Sequence, residues 1–305
     1  MVEVILLIVS SVIGAGFATG AELATFFGAF AVSPFIVAIM YGAISFGIIC
    51  ILAFFGGTRN PRATPIFTAI YIVFFIVMTA GLMHIGGWLT ALIAILICNL
   101  LGGNRIGALN KYIMIFVLCI LLWACLTNLH TPATANAPTN FALLAANVIL
   151  YGALNCCVLE SIIPNLLKTH TRKKVLLACA IAIVIICTFI VLILTAIRGV
   201  TAPMPILQLS PNLITTAAVF FAIFTSMLIC FDSATSHGKT FYKIAISLFA
   251  FAFGFLGFKS ILGALYPVIA FIFLCYVGFL CVQFALRNRQ IVHNSVNRLN
   301  IVQNN

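Results

Sequence analysis

The chain has 305 residues, of which 64% are hydrophobic and 6% charged, with 15 Lys and Arg against 4 Asp and Glu. An average soluble domain carries about 25% charged residues, and a soluble fold of this length could not cover its surface with so few. The composition therefore predicts an all-α integral membrane protein, and excludes a nucleic-acid-binding domain, a zinc finger or a secreted disulfide scaffold.

A hydrocarbon core of about 30 Å takes about 20 apolar residues per helical span. In chain order the apolar runs predict ten spans, over residues 2–30, 33–56, 63–84, 88–102, 107–126, 140–167, 173–197, 210–231, 241–257 and 260–286. The boundary between the third and fourth rests on Gly86-Gly87 alone. All eleven cysteines fall inside apolar runs, where they read as small packing residues. The adjacent Cys156 and Cys157 are too close in sequence for a typical metal site.

The net charge of +11 is spread in ones to fours between the apolar runs. Thirteen of the basic residues fall on one face of a ten-span chain: Arg59, Arg62, Arg105, Lys111, Lys168, Arg172, Lys173, Lys174, Lys239, Lys243, Arg287, Arg289 and Arg298. Arg198 and Lys259 fall on the other. The positive-inside rule then predicts that both termini are cytoplasmic, with 287–305 as a cytoplasmic tail. Glu3 is the one charge before Glu22, so no positively charged leader segment is expected.

Two spans carry signals of interruption. Gly14-Ala15-Gly16-Phe17-Ala18-Thr19-Gly20 places three glycines in seven residues of the first span. Each weakens a helix interior by about 1 kcal/mol. Thr19 and Glu22 have the spacing of a capping box, which would start a second half-helix. The sixth span carries Tyr151-Gly152-Ala153-Leu154-Asn155, with Asn155 as a candidate N-cap. The first and sixth spans hold the same place in two sets of five, approximately 1–126 and 140–286. Because five is odd, the second set would be inverted relative to the first. Broken helices at matching places in inverted halves point to a transporter binding site. The candidate substrate-binding residues are Gly14, Ala15, Gly16, Phe17, Glu22, Tyr151, Gly152 and Asn155.

The stretch IGAGFATGAELATFF, Ile13 to Phe27, resembles the opening motif of the YkvI-like membrane proteins. These belong to the amino acid–polyamine–organocation transporter superfamily, which has the LeuT-type fold. LYGALN (Leu150 to Asn155) resembles the family's sixth-helix break, and GFKSILGALYP (Gly257 to Pro267) the segment leading into its tenth helix. The chain differs in having Ala21 where the motif usually has Gln, and in starting almost directly at the first helix. The resemblance implies a five-plus-five inverted repeat with broken helices 1 and 6, and alternating access around a central site. It also implies a sodium site. In sodium-coupled members of the LeuT type, an Ala-x-x-Thr-Ser pattern on helix 8 supplies one carbonyl and two hydroxyls. Ala222, Thr225 and Ser226 match that pattern, and the helix-1 carbonyls would be those near Ser10 and Ile13. A hard cation suits such oxygen ligands.

Ionisable groups inside a bilayer are costly and read as functional by default. Glu22 is a candidate proton carrier or partner for a cation. Glu160, beyond the sixth-span signal, and Asp232, at the end of the eighth span, are candidate gating residues. Glu3, near the membrane surface, is assigned no role. The expected function is sodium-coupled alternating access of a small organic solute, an amino acid or related zwitterion, in a bacterial inner membrane. Sodium is the one cofactor expected, and the lipid bilayer and the solute are the partners. The alternatives are proton coupling through Glu22, or a ligand sensor with a transporter fold. The acids are dispersed and the His residues single, which argues against a membrane-embedded enzyme. The sequence leaves the oligomeric state open.

Overall fold

A computed structural model describes residues 1–30, 32–55, 64–101, 106–129, 140–235 and 240–303. Arg59, Arg62, Arg105 and Lys239, on which part of the expected orientation rests, lie outside them. The side chains of Lys111, Arg287, Arg289 and Arg298 lie outside the description as well. The described residues form thirteen helices and no strand.

The helices are α1 (Val2–Val12), α2 (Ala15–Ala18), α3 (Ala21–Phe27), α4 (Pro34–Phe55), α5 (Thr64–Leu101), α6 (Ile106–Thr127), α7 (Phe141–Leu159), α8 (Ile162–Thr169), α9 (Arg172–Ala196), α10 (Pro205–Leu209), α11 (Leu213–Thr235), α12 (Thr240–Gly254) and α13 (Phe258–Gln303). Six are long and apolar enough to cross a membrane: α4, α5, α7, α9, α11 and α13. Val2–Val12, Tyr112–Thr127 and Thr240–Gly254 are shorter apolar helices. The outer surface carries bulky apolar side chains such as Phe35, Ile39, Leu100 and Phe241, all at least 66% exposed. A water-facing surface does not tolerate so many, whereas a lipid-facing one requires them. The make-up is that of an all-helical integral membrane protein.

The first predicted span is divided twice. Ile13 (φ −79°, ψ 70°) and Gly14 (φ −88°, ψ −163°) leave the helical region between α1 and α2. There the Gly14 N–H turns to the Val12 carbonyl at 2.8 Å instead of reaching back one full turn. Gly20 (φ 74°) then separates α2 from α3 in a conformation that side-chain-bearing residues avoid.

The sixth predicted span differs from expectation. Tyr151 to Asn155 are continuously helical within α7, whose N-cap is Asn140 and not Asn155. Gly152 instead allows close packing, since a Cβ there would sit 3.2 Å from Ile44 and Ser45 of α4. The helical hydrogen bonding is interrupted only at Glu160–Ser161, between α7 and α8, where both residues keep right-handed helical φ and ψ. Pro164 accounts for the position of the interruption. Proline lacks the N–H that would bond the carbonyl four residues back, that of Glu160, and its ring crowds that carbonyl.

The third and fourth predicted spans run together as α5, 38 residues divided at Gly87. Drawn straight it would extend about 57 Å, nearly twice a hydrocarbon core. Gly87 (φ 78°, ψ 177°) adopts a backbone region open in practice to glycine alone. No heavy atom lies within 4 Å of a Cβ built there, so substitution costs backbone strain without a clash. Gly87→Ala is expected to lower stability by about 1–3 kcal/mol. Gly263→Ala, in equally open space within α13 and without a positive φ, is the control and should raise stability by up to about 1 kcal/mol. Thermal unfolding of the two variants side by side checks this. Two features were not expected: the short α10, and the continuation of α13 to Gln303 through what was read as a tail.

Several helix contacts come in matched pairs. α4 packs on α7 as α1 does on α9, and α11 on α6 as α13 does on α5. α13 packs on α7 as α1 does on α6, and on α4 as α6 does on α9. Each pair interconverts when elements at the same place in the two halves of the chain are exchanged: α1–α3 with α7–α8, α4 with α9, α5 with α11 and α12, and α6 with α13. The contacts of α4 with α9 and of α5 with α11 map onto themselves.

Candidate functional site

The α1–α2 break, α3, α5, α7, α11 and α13 meet around a small cavity of about 30 Å³. Ser10, Gly14 and Glu22 come from the broken first span, Asn155 from α7, Ser226 from α11 and Tyr266 from α13. One water needs about 10–15 Å³ of such volume. The cavity thus has room for an ion or about two to three waters, and an organic solute would need the helices to part.

Glu22 is buried at 6% exposure. Its side chain folds back over Gly16, where a Cβ would fall within the space of the carboxyl group. The Tyr151 hydroxyl donates to Glu22 Oε2 over a long 3.5 Å. The Tyr266 hydroxyl faces the same carboxyl and is fully buried, without a well-formed hydrogen bond among the described residues. No Lys, Arg or His pairs with Glu22 among the described residues. A buried carboxyl without a cation, beside a hydroxyl without a well-formed hydrogen bond, is costly unless something completes the set.

The predicted capping box is not formed. The Thr19 hydroxyl donates to the Gly16 carbonyl (3.1 Å) and accepts from the Ala21 N–H (3.3 Å), while Gly20 is the N-cap. The space over Gly16 draws the Glu22 side chain into the cavity and away from the helix start.

Tyr151 is held by aromatic rings on three sides. Phe26, Phe27 and Tyr41 lie with ring centroids 5.3, 5.4 and 5.5 Å away. Asn155 Nδ2 donates to the Tyr41 hydroxyl at 3.2 Å, which ties α7 to α4 beside the cavity. Ala15, Gly16 and Phe17 are buried, but line neither this cavity nor the larger one described below.

The residues of the expected sodium site are only partly assembled. Ser226 lines the cavity, and its Oγ would lie 3.2 Å from a Cβ at Gly14. Ser10 lines it too, while Thr225, Ala222 and Ile13 do not. The Thr225 and Ser226 hydroxyls both donate to the Ala222 carbonyl, at 3.2 and 2.9 Å. This is the usual resting place of such hydroxyls in membrane helices.

Of the gating candidates, Glu160 is buried at the α7–α8 break, next to Ser161, which accepts a 2.9 Å hydrogen bond from Tyr71 of α5. Asp232 is exposed on α11 and makes no ion pair among the described residues, so the structure does not bring it to the cavity. Phe74, Met78 and Tyr266 were missed by sequence reasoning. Tyr266 lies one residue before Pro267 inside an apolar helix, and its one sequence signal was a phenol in an otherwise apolar run.

No protein-family model matches the chain, and no curated protein matches its sequence.

Proposed function

We propose that the chain is a secondary transporter of a small organic solute, an amino acid or related zwitterion, driven by a coupling cation bound in the Glu22–Ser226 cavity. The observation that carries this reading is the convergence of a broken helix, a buried carboxyl without a basic partner and a tyrosine hydroxyl without a well-formed hydrogen bond on one ion-sized void. Broken helices inside a membrane persist where they line such a site. The matched helix contacts support ten spans arranged as a five-plus-five inverted repeat of the LeuT type, in keeping with the resemblance to YkvI-like proteins. On this reading α1–α3 and α7–α8 are the moving segments. The termini are cytoplasmic and the membrane is a bacterial inner membrane.

Sodium is the first coupling ion to test. The melting temperature of the purified protein is measured in sodium and in choline at equal ionic strength. At 100 times its dissociation constant, sodium should stabilise by about 2.7 kcal/mol. The effect should be lost in Thr225→Ala/Ser226→Ala. No sodium-specific shift at any concentration would reject a sodium site.

The hydrogen bonds of Thr225 and Ser226 to Ala222 favour a second reading, in which Glu22 couples transport to protons and the α11 hydroxyls are structural. Solute accumulation in proteoliposomes would then follow an imposed pH gradient and ignore sodium.

A further inference from the structure

A second, larger cavity of about 450 Å³ opens where α3 and α9 end and α4 and α13 begin. Its volume lies in the range of small-molecule sites. Ala21, Phe27, Pro34 and Leu262 give it apolar walls, and Arg198 and Lys259 also line it. These are the two basic residues that the positive-inside count assigns to the face opposite the other thirteen. None of the chain's four acidic residues lines it. The Arg198 guanidinium reaches the Val32 carbonyl at 3.4 Å, and the Lys259 ammonium the Thr201 carbonyl at 3.5 Å. Both contacts are long and to neutral oxygens, and neither cation makes an ion pair among the described residues.

α3 is a wall shared by the two cavities. Ala21, Ala24 and Phe27 face the large one and Glu22 the small one. Phe27 also packs edge-on against Tyr151, the residue that donates to Glu22. The cationic cavity and the buried carboxyl are thus lined by residues of the same short helix.

We infer that the large cavity is an outer recognition site for the carboxylate of an amphipathic organic solute, with Arg198 and Lys259 as its anion-binding groups. This deepens the transporter reading and rests on it. The apolar walls take the solute's hydrocarbon part, and the two cations take its carboxylate through charge-assisted hydrogen bonds. A cationic solute without a carboxylate is repelled at this mouth, which restricts the solute class to acids and zwitterions.

The full chain in phosphatidylcholine nanodiscs is titrated with isovalerate, leucine and 3-methylbutylamine, three probes that share one branched hydrocarbon group. Isovalerate and leucine are expected to bind saturably, and the amine at least about tenfold more weakly. Arg198→Gln and Lys259→Gln should each weaken isovalerate about tenfold, roughly the loss of one charged hydrogen bond. Equal binding of amine and acid, unchanged binding in both variants, or no saturable binding of either carboxylate would overturn the inference. Binding of short-chain phosphatidylglycerol in place of the carboxylates would overturn it as well and mark a lipid headgroup site. Ion-driven flux without carboxylate binding would sink this inference alone. Carboxylate binding without any ion response would sink the transporter reading and leave this site standing.

Discussion

Glu22→Gln is expected to abolish the response to the coupling ion while leaving the protein folded. Glutamine is nearly isosteric with glutamate, and its carbonyl oxygen can still accept from the Tyr151 hydroxyl. What disappears is the one group lining the cavity that can carry a negative charge. Removing one member of a buried charge pair costs about 3–5 kcal/mol, so cation affinity should fall at least about 100-fold. In the sodium-against-choline comparison, the stabilisation of the wild-type protein should vanish in the variant. A proton and a cation also compete for a single carboxylate, so sodium should bind more weakly to the wild-type protein as pH falls. A sodium response that persists undiminished in Glu22→Gln would remove the carboxylate from the coupling site and leave Ser226 and backbone carbonyls as the ligands.

Gly16→Ala should have an effect of similar size by a different route. The new methyl group would take the place of the folded-back Glu22 side chain. Either the carboxyl leaves the cavity or the α2–α3 segment shifts. Overpacking of this kind costs about 1–3 kcal/mol, and in both cases the ion response is lost. Gly47→Ala is the matched control. It lies on the lipid-facing side of α4, with nothing within 4 Å of the Cβ position. Replacing glycine in an exposed helix interior should raise stability by up to about 1 kcal/mol. Melting curves of both variants, with and without sodium, decide the matter. If Gly16→Ala melts and responds to sodium like the wild type, the close approach of Glu22 to Gly16 has no functional weight.

The two interruptions were not equally legible in the sequence. The first was visible because three glycines and a threonine cluster within seven residues, and glycine is both the poorest non-proline helix former and the residue that accepts a positive φ. The second was misplaced. Gly152 reads as a break, yet it serves close packing against Ile44 and Ser45, a use of glycine that looks the same in sequence. Pro164 held the better signal, because proline disturbs the helix four residues before itself. The Thr19–Glu22 spacing matched a capping box, but Gly16 leaves room for the carboxyl on the other side of the chain, and burial beside Tyr151 replaces the cap. Thr225 and Ser226 fit a cation-binding pattern. Adjacent hydroxyls on a helix point in directions about 100° apart, and only Ser226 reaches the cavity.

By itself, the sequence determined the solvent. Six per cent charged residues and long apolar runs leave a lipid bilayer as the environment, helices as the element and the glycine-rich segment as a place where the first of them opens. These are local properties of composition and spacing, fixed before any two helices touch. The tertiary structure decided which polar side chains share a space. Glu22, Asn155, Ser226 and Tyr266 are separated by up to 244 residues, and they meet because α1–α3, α7, α11 and α13 pack around one void. Packing in the membrane depends on close approach of small residues and on matching helix surfaces, and neither property marks a residue in the sequence as facing a cavity.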